Sequence, residues 1–393
     1  MYNLLQGIRV LEVALITPDA LGGYLADLGA EVLKIEQPPD GDYVRVLGGG
    51  GIAGLSFMHL RWNRGKKSVG LNLKTESGRR VFLDLAKKSH VVVDGLRAGA
   101  IERFGIGYET VKQVNPKIVY CSFNATGQSG AYRDLATHGP GFDAYAGHIQ
   151  PSLRPDGMPY LDFKTLVAMS AGPLYAALGV VSGIVRALMT GQGAYIEVAQ
   201  FDAAAAWQAN GIDASLNNIE VEPQQLREAV RHQMYRTKDD KYVVFQASED
   251  KFWTSFCRNV GREDLLEGHE RKAVASHARG DEPLRQELAA IFATKTRAEW
   301  VEFFIEHNVA GSPVNTPKEL IHDPHFLSRD LTFEQDHPQA GRVRWFGTPI
   351  KVAGQRFSAA PAPSPGEHTQ EVLSGVLGLE GSAIEELRSQ GAI

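Results

Sequence analysis

Residues 7–36 read GIRVLEVALITPDALGGYLADLGAEVLKIE, and their pattern decides the fold. Ile8–Val13 is an apolar, β-branched run of strand length. Asp19 to Leu28 reads as a helix, stopped by Gly29 as the glycine just past its end. Glu31–Glu36 returns to strand character. A strand, a helix and a strand in so short a stretch make a βαβ unit, the building block of a parallel sheet.

The rhythm continues downstream. Ser68–Leu73 reads as a strand, Thr75 is placed to cap a helix through Ala86, and HVVVD from His90 to Asp94 is extended again. YETVKQV ends near Asn115-Pro116, and KIVYCSF is extended after it. A doubly wound α/β fold is expected. Between Gly127 and Leu161 the pattern dissolves into Gly, Pro and Ser, a connection long enough to suspect function. Thr165–Val185 runs 21 residues without a charge, enough to span a bilayer. It contains Ser170, Gly172, Pro173, Gly179, Ser182 and Gly183 and has no second such stretch beside it, so a core helix and no membrane contact are expected. The turn Thr190–Gly193 ends it and AYIEVA resumes a strand. From Pro223 to Pro324 polar helices and one clear strand, Tyr242–Gln246, form a smaller α+β module. Near the C-terminus come a strand-like GRVRWFGTPIKVAG, a linker AAPAPSPG and two short helices, the second with a capping box from Ser382 to Glu385.

Composition bounds the function. At 393 residues two or three domains are expected, and 43% hydrophobic with 22% charged residues is ordinary for a globular protein. Formal net charge is −5, which gives no support to non-specific binding of nucleic acid, and no nucleic-acid partner is expected. Cys121 and Cys257 stand far apart in apolar contexts, so neither a disulfide framework nor a cysteine-ligated metal is expected. The N-terminus has no secretory pattern, and a cytoplasmic location follows as the expectation.

Gly49–Gly54 (GGGIAG) satisfies G-x-G-x-x-G by letter but opens no strand-to-helix turn, so it reads as a glycine loop. P-loop, nucleophile-elbow and HExxH motifs do not occur, the histidines lack ligand spacing, and no metal site is expected. Ala14-Leu15-Ile16-Thr17, between the first strand and its helix, offers backbone amides to an anionic or adenine-bearing ligand. Lys66, Lys67, Lys74, Arg97 and Arg103 either gather on one edge or belong to a scattered solvated surface.

With these motifs in order, the sequence resembles the family III CoA-transferases, the group that includes formyl-CoA transferase, carnitine CoA-transferase and α-methylacyl-CoA racemase. GIRVLEVA, GGYLADLGAEVLKIEQPPDGDYVR, NRGKKSVGLNLKTESGR, GLRAGAIERFGIGYE, NPKIVYCSF, TGQGAYIEVAQFDA, VAGSPVNTPKELIHDPHF and PSPGEHTQEVL carry the likeness over nearly the whole chain. The resemblance implies a Rossmann-like large domain built from both chain ends (1–222 and 325–393), a small domain (223–324), and two subunits threaded through each other. It implies CoA or acyl-CoA as substrate with a small carboxylic acid as acceptor, and no covalently bound cofactor. The family's CoA contacts fall on Ala14, Leu15, Ile16, Thr17, Leu71, Lys74, Gly95, Leu96, Ala100 and Arg103, with Asn124 and Phe142 nearer the thioester. Gln37 and Asn124 stand where formyl-CoA transferase has basic residues, which weakens the expected phosphate contacts.

In the family an aspartate attacks the acyl-CoA carbonyl to form a mixed anhydride, and CoA thiolate returns to give an aspartyl-CoA thioester. Counting back from Thr190 places that position at Met169, and counting back from Gly172 places it at Ala168. Met169 is preferred because it sets Gly179 where the family's helix has a glycine. Neither is a nucleophile, and Asp162 serves only if the loop is realigned. The implied role is the non-catalytic subunit of a heteromer with an aspartate-bearing paralogue, the benzylsuccinate CoA-transferase arrangement. The alternatives are an inactivated homodimeric transferase and a generic α/β cofactor-binding protein. Phe142-Asp143 stands where the racemases have a histidine before an aspartate, so racemisation is not expected; His138 lies four residues out of place.

Overall fold

The computed structural model describes residues 1–47, 50–162, 165–220, 227–267 and 275–393. They divide into two compact units, residues 1–213 with 331–393, and residues 214–330. Those limits lie several residues from the expected 222/223 and 324/325 boundaries.

The first unit is built on a six-stranded parallel sheet. Its strands are β1 (Arg9–Ala14), β2 (Glu31–Glu36), β3 (Lys67–Gly70), β4 (Val91–Gly95), β5 (Val119–Asn124) and β6 (Ala194–Ala199), in the spatial order β6-β5-β4-β1-β2-β3. β1 pairs with β2 through Leu11↔Leu33 and with β4 through Ala14↔Gly95. Successive side chains of a strand point to opposite faces. Leu11, Val13, Leu33 and Ile35 accordingly enter one core, and Val10, Val32, Val91 and Val93 the other.

The first core is closed by α2 (Glu76–Lys87), through Val81, Phe82 and Leu85, and by two C-terminal helices that bring Val372, Leu373, Ile384 and Leu387. The second is closed by α1 (Asp19–Asp27), through Leu21 and Leu25, and by α3 (Ala168–Thr190), through Ala176, Val180 and Ile184. Layers on both faces explain why the strands read as near-continuous apolar runs. The C-terminal segment also supplies an antiparallel ribbon, Thr332–His337 against Gly341–Phe346.

Several expectations shift. The third strand stops at Gly70, because Asn72 turns the chain by donating its backbone N–H to Ala392 O at 2.7 Å. Thr75 caps its helix as read, accepting from Gly78 N at 3.0 Å. The last helix, Gly381–Ser389, starts beyond Glu380, so Ser382 is already inside it and the expected capping box does not form. In the glycine stretch Gly51–Ile52 pairs with Leu55–Ser56 around Ala53 (φ 51°) and Gly54 (φ 81°), a hairpin turn with both central residues left-handed; Gly49 lies outside the described residues. The long loop holds a six-residue helix, Pro140–Tyr145. α3 is a core helix on one side only, for Leu174, Leu178, Leu188 and Met189 are exposed on it.

The second unit has a three-stranded antiparallel sheet, His232–Arg236, Tyr242–Gln246 and Gly311–Pro313, with the middle strand as read from sequence. Its core is aromatic, gathering Trp253, Phe256, Phe292, Trp300, Phe303 and Phe304.

Candidate functional site

Strand order reverses direction at β1. From β1 the chain moves outward through β2 and β3, then returns to the other side of β1 for β4, β5 and β6. In open parallel sheets ligands settle outside the carboxyl ends at such a reversal. Ala14 and Gly95, opposite each other in register, end the two strands that flank it. The loops there touch. A β-carbon on Gly95 would lie 2.6 Å from Pro18 Cβ and 2.9 Å from Ala14 Cβ, so glycine is needed for the close approach.

The turn after β1 is bound from below by buried charge. Ile16 takes φ 59°, rare for a β-branched residue, and donates its backbone N–H to Asp42 Oδ2 at 3.3 Å. Lys34 Nζ, fully buried, donates to the same oxygen at 3.0 Å, to Ala14 O at 3.0 Å and to the Asp19 carboxylate. Lys66 Nζ bonds Glu12 at 2.8 and 2.9 Å and Asp19 O at 2.8 Å. Arg45 pairs with Glu36 at 2.7 Å, and its guanidinium also meets His59 Nε2 at 3.1 Å.

Burial alone would discharge Lys34, but Asp19, Asp42 and Glu12 outweigh it and raise the ammonium above its ordinary pKa. Burial, with repulsion from Asp19, pushes the Asp42 carboxyl up against the pull of Lys34. Burial and the neighbouring Arg45 drive His59 down to about 3, so the ring is neutral. Asp42, Arg45, His59 and His337 line a cavity of about 460 Å³.

On the far side of the crevice Asp94 is the last residue but one of β4. It is buried and accepts from Leu96 N at 3.1 Å, fixing the loop that carries Gly95 and Leu96. Burial pushes its carboxyl up to about 7.

The expected ligand residues occupy this edge in different ways. Ala14 and Thr17 are buried, Leu15 is 39% exposed, and Leu96 is half-buried. Leu71 is a core side chain, so only its backbone faces the edge's chemistry; its N–H is spent on Glu36 O at 2.8 Å. Lys74 is exposed. Ala100 and Arg103 begin and end a four-residue helix after β4. Arg133, which the sequence reading passed over, reaches the same place: a β-carbon on Gly99 would lie 2.8 Å from its guanidinium and 3.6 Å from that of Arg103. Asn124 ends β5 and accepts from Thr126 N at 3.1 Å and Gly127 N at 2.7 Å, leaving its buried amide nitrogen unpartnered.

Phe142 packs with Ala168, Phe201 and Ala204 in a small satellite core. Asp143 beside it is fully buried and accepts from Val167 N at 2.8 Å and Ala168 N at 3.2 Å, so it caps α3 from a distant loop. Ala168 is the first residue of that helix and fully buried; Met169, next to it, is half-buried, and Asp162 is exposed. A β-carbon on Gly172 would lie 2.9 Å from Phe123 Cζ, so a glycine four residues after Ala168 lets the helix pass β5.

Comparison with known proteins gives relatives along nearly the whole chain. Human succinyl-CoA:glutarate CoA-transferase is 27% identical over 99% of this chain and 90% of its own length. The succinyl-CoA–L-malate CoA-transferase beta subunit of Chloroflexus aurantiacus is 28% identical over 99% and 98%. A crystal structure of a mutant of Rv3272 from Mycobacterium tuberculosis matches with a TM-score of 0.80 at 29% identity, covering 94% of this chain and 98% of that one. The model of CoA-transferase family III matches residues 5–369, and the chain belongs to that family.

Proposed function

We propose that this chain holds a CoA thioester at the carboxyl edge of its sheet and acts as the non-catalytic subunit of an acyl-CoA:carboxylate CoA-transferase, paired with an aspartate-bearing paralogue. The observation that carries the reading is the residue at the start of α3. The family's reaction needs a carboxylate there to take the acyl group and then CoA, and the methyl of Ala168 or the thioether of Met169 forms neither an anhydride nor a thioester. Met169 stays the preferred position through Gly179, whose added β-carbon would lie 3.0 Å from Ile196 Cγ2, and Ala168 the alternative through Gly172, whose added β-carbon would lie 2.9 Å from Phe123 Cζ.

The turn Ala14–Thr17 and the loop Gly95–Leu96 offer backbone to the ligand, and Lys74, Arg103 and Arg133 offer cations to its phosphates. Two relatives are named for succinyl-CoA with a dicarboxylic acid, which supports a small carboxylic acid as acceptor. One of them is named as a beta subunit, which supports the heteromer over a homodimer of inactive copies.

Isothermal titration of the chain, alone and with any copurified partner, is expected to give micromolar binding of CoA, acetyl-CoA or succinyl-CoA, as is common for enzyme substrates. Failure to bind at millimolar ligand would refute the CoA reading. Incubation with acyl-CoAs followed by hydroxylamine trapping and peptide mapping is expected to leave the chain unmodified and to mark an aspartate of the partner. Modification of Asp162 would instead make this subunit catalytic.

A further inference from the structure

We propose that Asp42 is a positioning residue that keeps the Ala14–Thr17 turn in its ligand-binding shape by holding Ile16 in left-handed backbone. The inference rests on the CoA reading above and adds to it the device that shapes the site. A β-branched residue at φ 59° persists only where its surroundings over-determine it. Here they do. Asp42 Oδ2 takes Ile16 N–H at 3.3 Å and Lys34 Nζ at 3.0 Å, while Lys34 also grips Ala14 O at 3.0 Å and the Asp19 carboxylate. Asp19 N in turn donates to Ile16 O at 3.0 Å, so both sides of Ile16 are tied to one buried cluster.

Asp42 is itself fixed. Its Oδ1 accepts from Val44 N at 2.9 Å and its backbone N–H donates to Glu36 Oε1 at 2.9 Å. A planar trans peptide points its N–H and C=O in opposite directions. Anchoring Ile16 N–H on Asp42 therefore turns the Leu15 carbonyl away from the cluster, where it can accept from an N–H of the ligand.

The test is a double-mutant cycle read by CoA titration, on the chain with its partner where one copurifies. Asp42→Asn places an amide NH2 either against both Ile16 N–H and Lys34 Nζ or, flipped, against Val44 N–H, and is expected to weaken CoA binding about tenfold, the size of strain released at one left-handed residue. Ile16→Gly sets its own baseline, because glycine adopts the same φ without strain. In that background Asp42→Asn is expected to change affinity by less than about twofold, the coupling that contact through Ile16 demands. Thermal unfolding separates the structural part, since loss of the buried ion pairs lowers Tm by the same amount in both backgrounds. Should Asp42→Asn fail to fold, Asp42→Glu, which keeps the charge but displaces the oxygens, is read through the same cycle. Equal losses of affinity in both backgrounds, or wild-type affinity in Asp42→Asn, overturns the inference with the CoA reading intact. A wild-type chain that binds no CoA removes both.

Discussion

Asp94 shows how one buried carboxyl ties the site to pH. Its ordinary pKa of 3.8 is raised to about 7 chiefly by burial, with repulsion from Glu102 adding to it. Between those values the folded chain holds a proton that the unfolded chain has lost, so stability falls as pH rises from 3.8 to about 7. Asp94→Asn keeps an oxygen for Leu96 N–H and removes the charge. The variant is expected to melt several degrees above wild type near pH 8, with the gap shrinking as pH falls toward about 4. A Tm difference that does not change with pH would assign the shift elsewhere. Resemblance led to Gly95 and Leu96, yet Asp94, inside β4 just before that loop, was read only as the end of HVVVD. Asp42 and Arg133 were missed for the same reason: each acts on a turn that is close in space and distant in sequence, and no local pattern records that.

The elements that were legible are those whose signals are local. β2 matches its expected Glu31–Glu36, and α1 spans Asp19–Asp27 against an expected Asp19–Leu28, because strand composition and a closing Gly29 settle both. Ser68–Leu73 was overread since the partner that bends it at Asn72, Ala392 O, lies at the far end of the sequence. α3 shows the limit most clearly. Its apolar run was visible, but its cap is Asp143, which lies in the Gly/Pro-rich loop and carries no capping spacing. That carboxylate satisfies two of the orphan N–H groups at the helix start and meets the positive end of its dipole. Asp143→Ala is expected to cost about 2 kcal/mol of unfolding free energy, by loss of the cap, which leaves the N–H groups of Val167 and Ala168 without an acceptor. Asp143→Asn, which keeps one acceptor, should recover part of it in denaturant unfolding. An Asp143→Ala chain as stable as wild type would mean that water or other groups replace the cap at no cost.

At the scale of the whole molecule the two chain ends share one core, since Val372, Leu373, Ile384 and Leu387 pack on the same face as Val81, Phe82 and Leu85. A large unit closed this way leaves residues 214–330 as an excursion of the chain. The surface of α3 bears on assembly. Leu174, Leu178, Val185 and Leu188 are 48, 64, 50 and 71% exposed and recur at helical spacing, so they form one apolar stripe. Contiguous apolar surface of this kind marks a face that another molecule covers. We therefore predict an obligate dimer, with the paralogue where it copurifies and otherwise with a second copy, that stays associated at nanomolar concentration in sedimentation velocity. Paired charges introduced by Leu178→Glu and Leu188→Glu face solvent in a lone chain and cost it little, whereas in the dimer they are buried without partners. The variant is expected to lose the dimer peak and to accumulate as monomer or aggregate. A wild-type chain that sediments as a folded monomer, or a variant whose dimer persists unchanged, would remove α3 from the interface.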